Sequence, residues 1–186
     1  MICRTKNWTV RIILILIDIE KKFELTDKFV FNTFGIKLFQ IKCTKSFKYA
    51  KEGDLGGYVE KDENLDQESD AWVYGNAQVY GDARVYGNAR VYGNAQVYGN
   101  AQVSGDADIE NDNNHCGFDC FGSCNRHTHA YLTKDNKVEI TCGCFRGSIE
   151  EFEKKVEKTH SGTIYEKQYK AIINVIKIKF GLTDLI

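Results

Sequence analysis

Between Val73 and Ile109 the chain repeats one six-residue unit six times without a gap: VYGNAQ, VYGDAR, VYGNAR, VYGNAQ, VYGNAQ and VSGDAD, closing on Ile109. Val or Ile falls at 73, 79, 85, 91, 97, 103 and 109, and Ala follows each Val by four residues. A fixed short period of this kind is the mark of a solenoid, in which each unit buries its apolar face only against its neighbours. Alternation along a short strand puts Val, Gly and Ala on one face and turns Tyr and Asn or Asp toward the other. Gly followed by Asn or Asp supplies the tight corner between flat segments. Three units make a triangular coil of eighteen residues. Stacked coils then place Tyr74 over Tyr92, Tyr80 over Tyr98 and Asn76 over Asn94. A disordered Gly/Asn-rich tract has no need to keep Val and Ala in phase.

The lead-in Gly53-Asp54-Leu55-Gly56-Gly57-Tyr58-Val59-Glu60, followed by Ala71-Trp72-Val73-Tyr74-Gly75-Asn76-Ala77, extends the pattern toward the amino end. In these residues the chain resembles the hexapeptide-repeat left-handed β-helix, and more narrowly the YdcK-type β-solenoid proteins of bacteria and their phages. The resemblance covers residues 37–109. The left hand is what the resemblance implies, because the general rule for crossovers favours the right hand.

The expected fold is therefore mainly β. A short left-handed parallel β-helix over 59–109 follows a cap strand and turn over 37–58. Residues 1–36 are a lead-in of uncertain structure, 110–125 a Cys-containing linker, and 126–186 a tail of one β-hairpin and two helices. Val10–Ile19 is apolar, but its uninterrupted run, Ile12–Ile17, is far shorter than a membrane span, and no small-residue cleavage site follows. It reads as a buried strand or helix, or as translated upstream sequence, since the resembling proteins start near Lys22–Thr26. Leu38–Thr44 alternates as a strand, and such a strand would cover an otherwise open solenoid end. Val59 and Leu65 keep the six-residue step, whereas Val73 lies eight beyond Leu65, so the strict register is entered with a two-residue slip.

Charge is uneven. Residues 1–50 carry ten basic and four acidic groups, net +6; residues 51–114 carry four and thirteen, net −9; residues 115–186 carry eleven and nine, net +2. An acidic solenoid is a poor nucleic-acid tract, and no membrane partner is expected. A three-coil core of Val and Ala is small, so a homo-oligomer, a trimer or a dimer, is expected to supply part of the stability. The row Tyr74, Tyr80, Tyr86, Tyr92 and Tyr98 is its candidate interface. The alternatives are stacking between coils that only rigidifies the helix, and base stacking.

Five of the seven cysteines follow the repeat: Cys116, Cys120, Cys124, Cys142 and Cys144. Their spacings, C-x3-C-x3-C and C-x-C, differ from the C-x2-C knuckle of a structural zinc site. Reduced thiols are expected, with no metal and no cofactor; zinc is the alternative. Ser148 with Glu151 forms a capping box that starts one helix, striped by Ile149, Phe152 and Val156; a second carries Tyr165 to Ile176 and stops at Gly181.

Hexapeptide β-helices are best known as acyltransferases with a general-base His beside the coils, but no His lies between Val59 and Ile109. A non-enzymatic oligomeric binding protein is the preferred reading, with an acyltransferase-like enzyme or a structural spacer as alternatives. Arg126, His127 and His129 on the hairpin, with Arg146 and Ser148 at a helix start, are the candidate ligand-binding residues, and their chemistry suits an anion. The resemblance to phage proteins implies a cytoplasmic, anti-defence role in the host cell: sequestering a signalling nucleotide.

Overall fold

The computed structural model describes residues 21–182; the apolar stretch Val10–Ile19 lies outside them. The repeat forms seven two-residue strands: Trp72–Val73 (β4), Gln78–Val79 (β5), Arg84–Val85 (β6), Arg90–Val91 (β7), Gln96–Val97 (β8), Gln102–Val103 (β9) and Asp108–Ile109 (β10). Each pairs in parallel with a strand eighteen residues away, as Val73 with Val91, Val79 with Val97, Val85 with Val103, and Val91 with Ile109. Every third strand thus returns to the same ladder, and three parallel ladders share one core. The Val, Ala and Ile positions from Val73 to Ile109 are at most 2% exposed.

Gly departs from the expected alternation. Val and Ala point inward, but the glycines are not interior. Gly75, Gly81, Gly87, Gly93, Gly99 and Gly105 sit at the corners with φ between +58° and +72°, a region that costs a side chain about 1–2 kcal/mol. The turn closes where the Ala77 amide donates to the Tyr74 carbonyl, and likewise Ala95 to Tyr92. Corner stacks on corner: a Cβ on Gly87 would stand 2.8 Å from the Gly105 nitrogen.

The first turn is longer. Leu55–Val59 (β3) pairs with β5 so that Val59 faces Val79, and Leu65 bridges Val85, twenty residues on in each case. The two extra residues fall between Leu65 and Trp72, where the slip was expected. Lys22 clasps this loop, its Nζ donating to the Ser69 and Ala71 carbonyls at 2.7 and 2.8 Å. Burial pushes the Lys22 ammonium down to about 8.

The amino-end cover is a hairpin rather than one strand. Phe23–Phe31 (β1) pairs antiparallel with Lys37–Cys43 (β2), which pairs antiparallel with β3. Part of the segment read as an uncertain lead-in therefore belongs to the cap. Phe23 packs edge-on to Trp72, and Leu38 packs with Tyr58 and Tyr80.

The linker expected over 110–125 contains a strand, His115–Phe121. His115–Phe121 (β11), Arg126–Leu132 (β12), Val138–Cys142 (β13) and Phe145–Ser148 (β14) form a four-stranded antiparallel sheet in chain order. Gly117 and Asp119 in the first of these have low strand propensity, and pairing with β12 overrides it. Ile149–His160 (α1) starts at Ser148 with the expected capping box, and Ile164–Lys179 (α2) ends before Gly181, whose φ is +65°. One sheet face, with Ala130, Val138, Ile140 and Cys142, packs on both helices. The other covers the last solenoid strands. Among the described residues no helix is long and apolar enough to cross a membrane.

Candidate functional site

Strand alternation decides what meets at the junction of solenoid and tail. On β12 His127, His129 and Tyr131 share the face that looks at the solenoid, while Thr128 and Ala130 look at the helices. On β13 Glu139 and Thr141 join the solenoid face, and on β14 so does Arg146, which registers with Thr141. The Thr141 hydroxyl donates to the Gln102 carbonyl at 3.0 Å. Lys134 reaches from the β12–β13 loop to the Tyr49 hydroxyl at 2.6 Å and the Asn88 carbonyl at 3.1 Å.

Tyr131 is fully buried and belongs to the solenoid core. Its hydroxyl donates to Glu139 Oε1 at 2.6 Å, so Ser104, 3.4 Å away, is the donor to it. Burial and the adjacent Glu139 carboxylate hold this phenol well above its ordinary range. Arg146 grips the same carboxylate with Nε to Oε1 at 2.6 Å and Nη2 to Oε2 at 3.2 Å. Ser104 stands where the other units have Tyr, so the one break in the Tyr row marks where the tail docks.

The expected ligand residues divide. Arg126 and Arg146 lie on opposite faces of the tail sheet. Arg146 is occupied by Glu139, and Ser148 accepts from the Glu151 amide at 3.3 Å and donates to Glu150 Oε2 at 2.7 Å. Arg126 is exposed and in no salt bridge among the described residues. With His127 it lines a cleft of about 350 Å³ bounded by Asn100, Gln102 and Thr141. On its other side Arg126 borders a second cleft of about 210 Å³ with Cys124, Cys144, Lys155, His160 and Tyr169.

His129 is 1% exposed and shares the solenoid-facing side of β12 with His127. Its Nε2 is 3.0 Å from His115 Nδ1, and its ring centroid is 5.7 Å from that of His127. Burial, then the neighbouring His115 and His127, hold His129 well below the usual imidazole range, and burial lowers His115 as well. His127 Nδ1 meets Asp119 Oδ1 at 2.6 Å. Cys43, Cys116, Cys120, Cys124, Cys142 and Cys144 are free thiols, and burial pushes Cys116 up to about 11. Among the described residues no three His, Cys, Asp or Glu side chains stand together as a metal-holding group.

The Tyr row is unevenly exposed. Tyr80 is 4% exposed beneath the hairpin and stacks on Tyr98 at 5.3 Å; Tyr74 is half-buried, its hydroxyl 3.4 Å from the Tyr49 carbonyl. Tyr86 and Tyr92 are half-buried, with hydroxyls donating at 3.4 Å to Gln102 and Asp108; Tyr98 is 55% exposed. Sequence reasoning passed over Glu139, Tyr131, Asp119 and His115 as junction residues. The signal was the H-x-H-x-Y alternation of 127 to 131, which a hairpin with one buried face already implied.

Three parallel ladders advancing by eighteen residues, closed at one end by a hairpin and at the other by an α+β sheet, define a capped β-solenoid-repeat protein. The YdcK Beta solenoid repeat family matches the chain at residues 77–93 and 83–99. No curated protein matches it.

Proposed function

We propose that the chain is a non-enzymatic oligomeric binding protein of phage or prophage type. Its solenoid, closed as a left-handed β-helix, is the scaffold, and its tail takes a small anionic ligand such as a host-defence signalling nucleotide in the host cytoplasm. The observation that carries this reading is Arg126: an exposed guanidinium, in no salt bridge among the described residues, on a cleft of about 350 Å³, within the size range of small-molecule pockets. Asn100 and Gln102 add amide groups, and His127 and Thr141 add further polar atoms, so an anion there would gain charge-assisted hydrogen bonds. Arg146 has a different role: it holds the Glu139 carboxylate. Two or three copies meeting through the solenoid would add apolar burial to a core of small side chains.

Inorganic phosphate and a panel of cyclic and linear nucleotides should be titrated by calorimetry against the full chain. A hit is expected to weaken at least tenfold in Arg126→Ala and to stay unchanged in Arg84→Ala. A panel without a hit, or a hit indifferent to Arg126, refutes the reading.

A further inference from the structure

We infer that β11 is an edge strand released by acid: when the imidazoles of His115, His127 and His129 take up protons, the His115 end of the strand parts from β12. Neither the cysteines nor the anion cleft enters into this. β11 is weakly held. In the tail sheet it pairs with β12 alone, and its register slips between Phe118 and Phe121. The three histidines lie along that single ladder. His115 registers with Tyr131 and Gly117 with His129, so His115 and His129 are diagonal neighbours on the solenoid-facing side. Their ring centroids are 5.2 Å apart, and those of His127 and His129 5.7 Å.

His115 Nδ1 and His129 Nε2 stand 3.0 Å apart. A contact this short needs one bare nitrogen, because one ring must donate and the other accept. One extra proton can be carried by the pair. With both rings charged, two N–H groups would face each other and the contact would be lost. His129 is in no salt bridge among the described residues. Of the groups near it, the Gln102 carbonyl favours a charge, whereas burial, His115 and His127 oppose one. His115 has Asp112 Oδ1 at 3.6 Å from its Nε2, a carboxylate oxygen that also accepts from the Gln96 amide at 2.8 Å. Lys179 of α2 opposes a charge on His115.

The other end of β11 responds in the opposite sense. His127 Nδ1 meets Asp119 Oδ1 at 2.6 Å, and a proton on His127 turns that hydrogen bond into an ion pair between β12 and β11. The remaining charges on this side are matched: Glu139 with Arg146, and Arg90 with Asp108 of the last coil. Acid therefore loosens the His115 end and tightens the Asp119 end. The rest of the tail stays seated, because the bonds of Tyr131 to Glu139, Thr141 to Gln102 and Lys134 to Asn88 involve no imidazole. The sign follows from linkage. His115 and His129 resist protons while β11 is docked and regain an ordinary value near 6.5 when it is released. Below that pH the released form binds more protons, and each ring kept neutral by docking favours release by up to about tenfold per pH unit.

Amide hydrogen exchange of the full chain, read by mass spectrometry at about pH 7.5 and about pH 5 and corrected for the intrinsic pH dependence of exchange, tests this. Protection over residues 115–121 should fall at least about tenfold at the lower pH and recover on return. Protection over residues 73–97 of the solenoid and over β13 should change by less than about twofold. His115→Gln and His129→Gln should each remove most of the loss. Asp119→Asn should enlarge it, since the tether at the far end of β11 is gone. His160→Gln, on the helix side of the tail, should leave it as in the wild type. No loss at the lower pH, a loss shared equally by the solenoid, or a loss unaltered in both His115→Gln and His129→Gln overturns the proposal. If His129→Gln unfolds at neutral pH, His115→Gln and Asp119→Asn decide.

Discussion

The six corner glycines share one backbone conformation but not one environment, and that difference can be measured. Gly75 (φ +58°) and Gly87 (φ +72°) occupy the same place in the repeat. Ala at either site carries the left-handed penalty of about 1–2 kcal/mol, offset in both by about 0.4–1 kcal/mol of lost freedom in the unfolded chain. These two contributions cancel in the comparison. A Cβ at Gly75 would meet the Gly93 carbonyl at 3.7 Å, an ordinary contact, whereas at Gly87 it would stand 2.8 Å from the Gly105 nitrogen. The obstacle is backbone one coil away, held by the Asn88 amide donating to the Gly105 carbonyl at 2.8 Å. Relief requires coils to part, an overpacking cost of about 1–3 kcal/mol. Gly87→Ala should therefore be less stable than Gly75→Ala by about 1–3 kcal/mol. With a urea slope of about 2 kcal/mol/M, that separates the midpoints by about 1 M. Trp72, 1% exposed in the solenoid core, gives the fluorescence signal. Equal midpoints would refute the argument that stacked corners, beyond local backbone preference, require glycine.

Tyr131→Phe should destabilise by about 1–3 kcal/mol, because the half-buried Glu139 loses a 2.6 Å donor; thermal melts that match the wild type would count against the docking role. Tyr98→Ser should lower the mass found by light scattering if the solenoid face joins copies, whereas Tyr80→Ser should lower the melting temperature, since Tyr80 is packed under the hairpin. A monomeric wild type at micromolar concentration would end the oligomer reading. Stability should fall as pH drops below about 6.5. His115 and His129 titrate lower in the folded chain than their ordinary 6.5, so in that window the unfolded chain binds more protons. His115→Gln should flatten the slope between pH 6.5 and 5, and an unchanged slope would reject it.

The solenoid was legible because its period is short and each side chain has one task. Val and Ala read as interior from phase alone, and the two-residue slip before Val73 was visible as a spacing. The glycines were misplaced because strand alternation was carried across a corner, where positive φ breaks it. β1 and β11 were obscured for a different reason. Phe23–Phe31 and His115–Phe121 lack a clean apolar period and are strands because a neighbouring strand offers a ladder. Placing Arg126 and Arg146 together overlooked parity: the register of β12, β13 and β14 fixes which residues share a face, and composition does not carry it. The capping box at Ser148 was read correctly, yet the same bonds that start α1 occupy its hydroxyl.

The eighteen-residue return of the ladders makes the chain a scale with a fixed division. Inserting eighteen residues of the same repeat between Val85 and Val91 would lift the tail by one strand spacing, about 4.8 Å, and present it with the same three faces. Inserting six or twelve would lengthen the solenoid by less and yet turn the seat of Tyr131 away by one or two faces, leaving Ser104 under the wrong part of the sheet. Length in this architecture is therefore quantised by docking, even though each single unit is interchangeable with the next.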